Sequence, residues 1–370
     1  MSRRLLVVSK YFSSGYGGAP EAVRLLAHSL LAHDAVTDVL ADHGSYENVG
    51  VLETLPDRDA PAAAGLQRPL AAYNAVCVVG AWNARAVPLA LAAKRKGLPV
   101  VYAPKGQLCR VEFPGLRDLR KVAYLVLVEI WLAALADRLL FTSALERRAS
   151  LLPSFIVHGK STVLPEPFVG ERLDGSGTRA EGAAPFRVGF LAQIVPRKGL
   201  AELVRGFLKW VESEPGNDAR LLVGGTAVRG AEGYLKDVRR YSELHPHGHR
   251  VDFLGQISGA TRTRFYEEIH LLAVPSLFES FCLTVLEALW RGRPVLAGPH
   301  LGVLEYLAGC RPVRVLPTVT EDGVAAGIAQ AHAQRAALAR AAAAWRGVPV
   351  SGVAGPEVAR RFADTVFSRR

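Results

Sequence analysis

Short, continuous apolar runs rich in Val, Leu and Ile alternate with helix-like stretches along this chain, and the alternation occurs twice with an unpatterned break between the two series. Apolar runs without a solvent face suit a parallel sheet, because each parallel crossover lays a helix over one side of it. In the first series strands are expected at Leu5–Ser9, Thr37–Ala41, Ala75–Gly80, Pro99–Tyr102, Arg138–Thr142 and Ser161–Leu164. Helices are expected at Pro20–His33, around Val87–Lys96 and across Val122–Ala136. The second series predicts strands Phe186–Leu191, Arg220–Gly224, Arg250–Leu254, Leu271–Pro275 and Pro294–Ala297, with helices Leu200–Glu214, Ala231–Leu244, Thr261–His270 and Leu283–Arg291. Val324–Arg346 and Val353–Arg370 also read as helical. Residues 173–185, rich in Gly and Ala, read as a linker. A chain of 370 residues is long enough for two cores. The expectation is an α/β protein of two Rossmann-like domains, 1–172 and 186–350, with a terminal helix in 351–370 that returns to the first.

Charge narrows the partners. A net charge of +11 suits anionic small molecules, lipid head groups or nucleic acid. No basic run with interleaved aromatics and no zinc-finger spacing is present, so a nucleic-acid partner is not expected. Cys77, Cys109, Cys282 and Cys310 lie far apart, as free thiols in a reducing cytoplasm would. The opening Met1–Arg4 leads straight into a strand without a signal-peptide pattern, which also points to the cytoplasm. Val122–Ala136 is almost wholly apolar and follows Arg117, Arg120 and Lys121, but it is about 15 residues long and carries Glu129, where a membrane span needs roughly 20. A buried helix is the expectation; a helix whose basic entry lies against anionic lipid at the inner face of the plasma membrane is the alternative.

Three loops carry candidate chemistry. The first, Gly15 to Glu21, holds Gly17 and Gly18 just before a helix opened by Pro20, and reads equally as an anion site or a tight turn. Asp42 lies at a distance that suits a ribose-binding carboxylate, which keeps a nicotinamide enzyme in view. The second is Gln193 to Gly199, where Arg197 and Lys198 follow a strand and open a helix, placing two cations where an anionic leaving group would sit. The third is Ser276 to Leu289. Ser280 is the expected helix cap, Phe281, Cys282 and Leu283 offer backbone N–H groups, and Glu279 and Glu287 flank them as acceptors for sugar and ribose hydroxyls.

Taken together these residues resemble the retaining glycosyltransferases of family 4. The resemblance rests on Glu279-x7-Glu287, on Gln193 to Gly199, on Gly17-Gly18, and on Ala103 to Leu108 followed by Phe141 to Glu146, which looks like the pattern of members that build surface polysaccharides. It implies a GT-B fold with an interdomain cleft, a UDP- or GDP-linked sugar donor, a glycan or lipid-linked acceptor, no metal, no cofactor and retention at the anomeric carbon. The resemblance implies Lys198, Glu279 and Lys105 as catalytic, and Gly17, Gly18, Gln193, Arg197, Lys198, Gly225, Ile257, Glu279, Phe281, Cys282, Leu283 and Glu287 as donor-binding. Gln193 replaces the usual arginine, Cys282 a common glycine and Lys105 the usual histidine.

Other readings stay open: a hydrolysing nucleotide-sugar epimerase on the same scaffold, a nicotinamide-dependent enzyme, or a relative that binds without catalysis. Asp57-Arg58-Asp59 imitates a metal-binding pair but lies in a Pro-rich loop, and His245, His247 and His249 read as a polar loop rather than a metal site.

Overall fold

The computed structural model describes residues 3–11, 18–43, 52–54, 69–113, 119–170, 185–214 and 216–367. The apolar runs form two sheets whose strand pairs are all parallel. In chain order the first sheet holds β1 (Arg3–Tyr11), β2 (Ala35–His43), β3 (Leu52–Thr54), β4 (Ala75–Val79), β5 (Val100–Ala103), β6 (Arg138–Phe141) and β7 (Ser161–Val163). Their spatial order is β3-β2-β1-β4-β5-β6-β7. The second holds β8 (Arg187–Leu191), β9 (Arg220–Gly224), β10 (Val251–Gly255), β11 (Leu271–Val274), β12 (Val295–Ala297) and β13 (Val313–Val315), in the order β10-β9-β8-β11-β12-β13. Both orders reverse once, beside β1 and beside β8. Such a reversal leaves a crevice outside the carboxyl ends of the strands, where ligands bind in open α/β sheets.

Two compact units result, Met1–Val169 with Ser351–Arg370, and Gly170–Val350. Of the expected linker only Pro185 lies within the described residues. In the first unit the period of two along each strand divides the core. Leu6, Val8, Val76 and Val78 pack beneath the Ala86–Arg95 and Ile130–Leu135 helices, whereas Leu5, Val7, Cys77 and Val79 pack beneath Gly18–Leu31 and Gly355–Phe367. In the second, Leu203, Phe207 and Trp210 of the Leu200–Ser213 helix join Val324 and Ile328 of Glu321–Ala333 over β8 and β9.

The long apolar stretch is not wholly buried. It runs as α-helix Leu119–Tyr124, opens into a π turn over Leu125–Glu129 and resumes as Ile130–Leu135. Leu125, Leu132 and Ala133 are buried, while Leu127 and Trp131 are exposed. Among the described residues no helix is long and apolar enough to cross a membrane.

Candidate active site

The second sheet's crevice is built by loops that touch through glycine. After β8 the chain makes a 3-10 turn, Pro196–Lys198, and reaches Gly199 in the left-handed region at φ 70°. A side chain there would bring Cβ to 2.1 Å from the Pro275 carbonyl oxygen, so only glycine lets the loops after β8 and β11 meet. Gly225, at φ 130°, likewise lies under the Ala192 carbonyl, where a Cβ would stand 1.9 Å away. The Leu277 N–H donates to the Arg197 carbonyl at 2.9 Å, and Ile194 N–H to Thr226 at 2.8 Å. Arg197 and Lys198 are therefore carried to Glu279.

The Glu279 carboxylate is ion-paired with Lys198, lies 3.5 Å from Arg197 Nη1 and accepts the Ser276 hydroxyl at 2.9 Å. Arg197 also donates to the Phe278 carbonyl at 3.3 Å. Burial alone would push the Glu279 carboxyl up, but the charges of Lys198 and Arg197 outweigh it and hold the group below the usual carboxylate range. Arg197 and Lys198 thus converge on one carboxylate.

Ser280 is not the helix cap. Glu279 N–H donates to the His300 carbonyl at 2.9 Å, and the Gly302 and Val303 N–H groups donate back to Glu279 and Phe281 at 3.0 Å each. This ladder keeps the chain paired through Phe281, and the helix Leu283–Trp290 starts only after Cys282, whose side chain makes no capping bond. Cys282 takes φ 98°, a region an L-residue rarely occupies. Its half-buried sulfur lies 3.2 Å from Thr284 Oγ1. Burial, and then the neighbouring Glu279 charge, push its thiol up to about 11, so it is neutral near pH 7.

Glu287, on the second helical turn, is held by two residues absent from the sequence expectation. Arg262 ion-pairs with one oxygen, and the Tyr266 hydroxyl donates to the other at 2.7 Å. Both project from the Gly259–Glu268 helix, where an i, i+4 spacing puts them on one face. Arg291 lies with its guanidinium carbon 4.9 Å from the Tyr266 ring centroid. Ile257 leans over the end of β9, its Cδ1 2.7 Å from where a Cβ on Gly224 would be.

The remaining candidates belong to the first unit or lie elsewhere. Lys105, at φ 54° after β5, forms a 2.8 Å ion pair with Glu166. Beside it Glu146 braces the turn, accepting Gly106 N–H at 2.5 Å and both the N–H and hydroxyl of Thr142 at 2.6 Å. Gly18 opens the Gly18–Leu31 helix; Gly17 and Asp57-Arg58-Asp59 lie outside the described residues. Asp42 falls near the end of β2. The rings of His245, His247 and His249 are 6.0 and 6.4 Å apart, and among the described residues no three His, Cys, Asp or Glu side chains converge as metal ligands would.

Comparison with known proteins adds a frame to this geometry. A D-inositol 3-phosphate glycosyltransferase of Nocardia farcinica is 36% identical over 128 residues, 34% of this chain and 28% of that protein. The enzyme of the same name from Actinosynnema mirum is 30% identical over 260 residues, 65% of this chain and 57% of its own length. The chain thus spans between about a quarter and somewhat over half the length of the curated relatives it matches. The crystal structure of Anabaena Alr3699/HepE in complex with UDP and glucose superposes with a TM-score of 0.75 at 19% identity, covering 99% of each chain. The fold is GT-B, and residues 185–342, which contain every second-unit residue described above, match the family of glycosyl transferases group 1.

Proposed function

We propose that the protein is a glycosyltransferase that moves a hexosyl-type sugar from UDP or GDP to a hydroxyl of a glycan or lipid-linked glycan, with retention at the anomeric carbon. The observation that carries this reading is the carboxyl edge of β8 and β11, where Arg197 and Lys198 converge on Glu279 beside the N-terminus of the Leu283–Trp290 helix. The two cations and the first helical amides suit a diphosphate whose charge grows as the sugar–phosphate bond breaks. Glu279, anionic at neutral pH, accepts hydroxyls of the transferred sugar. Glu287 takes the ribose hydroxyls; Arg262 and Tyr266 fix its two oxygens and leave each with a further lone pair. The likeness of the fold to a UDP complex and the family match over residues 185–342 support the same assignment.

The departing diphosphate can receive the acceptor's proton, so the route needs no separate base. Because two cations already face the phosphate position, transfer is expected to persist in EDTA. The test is release of UDP or GDP from a panel of nucleotide sugars, with and without glycan acceptors. Acceptor-dependent release supports transfer. No release with any donor, or activity that chelation abolishes and manganese restores, overturns the reading.

A further inference from the structure

Three helices cover one face of the first sheet: Ala86–Arg95, the long helix Leu119 to Leu135, and Ser154–Lys160. Their inward residues, among them Leu89, Leu132 and Ile156, share one core. The third helix is tied to the second, since Lys160 Nζ donates to the Ala134 and Ala136 carbonyls at 2.7 and 2.6 Å. On the outside, side chains that would normally be polar are apolar. Phe155 is 80% exposed, Leu127 70% and Trp131 66%, with Val126 and Leu91 also exposed. Ala123, Leu127 and Trp131 recur at i, i+4 along one helix face.

The charges around this face are mainly positive. Lys94, Arg95 and Lys96 end the first helix, Arg120 and Lys121 begin the second, and Lys160 ends the third. Among the described residues of these helices and their flanks the acids are Glu129, sealed in the core, Asp137, paired with Lys94 at 2.5 Å, and Glu112, whose carbonyl accepts Lys121 Nζ at 3.4 Å. An apolar stripe rimmed by cations does not suit self-association, because two such faces repel. It suits a surface with an apolar interior and anionic head groups.

We propose that this face docks the protein on an anionic lipid bilayer, with Leu127, Trp131 and Phe155 entering the head-group boundary and the exposed Arg95, Lys96 and Arg120 meeting lipid phosphates. The helices lie in the interface rather than cross it. This inference stands apart from the sugar-transfer reading, and either can fail alone.

The experiment is cosedimentation of the full chain with vesicles of phosphatidylcholine alone and of phosphatidylcholine with phosphatidylglycerol in equal parts. Binding to the anionic vesicles is expected, weakened by salt, and about tenfold or more lower for Leu127→Ser combined with Trp131→Ser and for Lys96→Glu combined with Arg120→Glu. Trp131 is the only exposed tryptophan among the described residues. Brominated lipid in the anionic vesicles should therefore quench the unaltered protein, a readout that requires no variant to fold. Equal binding to neutral vesicles, wild-type binding by the folded double variants, or absence of quenching overturns the proposal. So does sedimentation velocity that shows a dimer dissociated by the Leu127 and Trp131 changes, because the face would then join two copies of the chain.

Discussion

Lys198 and Glu279 form an ion pair, and that pairing sets what a substitution does. Glu279 has a depressed folded-state pKa, so its contribution to stability is present above the unfolded carboxylate range and fades as pH falls through the lower folded value. Lys198→Ala removes the leading favourable charge, and the acid limb of stability should move to higher pH. On the transfer reading the same variant should slow turnover by about a hundred- to a thousandfold, the usual cost of losing one preorganised group aimed at developing charge. Unaltered turnover in a folded Lys198→Ala protein rules out the diphosphate assignment. Cys282 invites the opposite kind of change. Its φ of 98° costs about 1–3 kcal/mol for a residue with a side chain, whereas glycine gives back roughly 0.5–1 kcal/mol in unfolded-state entropy. Cys282→Gly should raise the melting temperature of the second unit by a few degrees. A lower melting temperature would mean that the contacts of the thiol, such as that with Thr284, outweigh the strain.

At the scale of elements, the π turn Leu125–Glu129 ends on a buried carboxyl. Glu129 is fully buried, and its two oxygens accept the Trp82 N–H at 2.7 Å and the Tyr102 hydroxyl at 2.5 Å. Burial raises its pKa above the ordinary value despite these bonds. Glu129→Ala strands two buried donors and should cost about 2–4 kcal/mol in urea unfolding of the first unit. Glu129→Gln keeps an acceptor for Trp82 and can donate to the Tyr102 oxygen, so its cost should be under half of that; equal losses would show that the hydrogen bonds are not what matters. Nothing in the apolar run Val122–Ala136 disclosed this turn, since Glu129 looked like an interruption rather than a bridge to β5 and to the loop after β4, 27 and 47 residues away in sequence. Strands such as β9 and β11 were legible because each is a continuous apolar run ended by Gly224 or Pro275. β3 and β13 were not: each has three residues with a charged one at the centre, Glu53 and Arg314, which breaks the apolar run. The same limit applied to the site. The cations and both glutamates lie in local motifs, whereas Arg262 and Tyr266 reach Glu287 from 25 and 21 residues upstream on a different helix.

Across the whole molecule, the chain leaves the first unit at Val169 and re-enters it at Ser351. The two passages are joined there: Phe168 N–H donates to the Val353 carbonyl at 2.8 Å, and Gly355 N–H to the Phe168 carbonyl at 2.9 Å. The Gly355–Phe367 helix then lays Val358, Phe362 and Val366, none more than 2% exposed, beside Val23 and Leu30 over the sheet. Burying three such side chains stabilises by roughly 1.5–3 kcal/mol each, or about 5–9 kcal/mol together. That is comparable to the entire stability of an ordinary domain, and the uncovered sheet face would present apolar surface to water besides. A chain ending at Val350 should therefore lose the first unit's unfolding transition, and residues 3–169 should become open to protease. The second unit buries its own core without this helix, so its transition should remain near the wild-type temperature. On the transfer reading, the truncated chain should still bind UDP or GDP, since Arg197, Lys198, Glu279 and Glu287 all lie within Gly170–Val350. Two unchanged transitions in the truncated protein would show that the last helix is only laid against the first core. Loss of both would show instead that the two units fold as one cooperative block, in which case nucleotide binding must disappear with them.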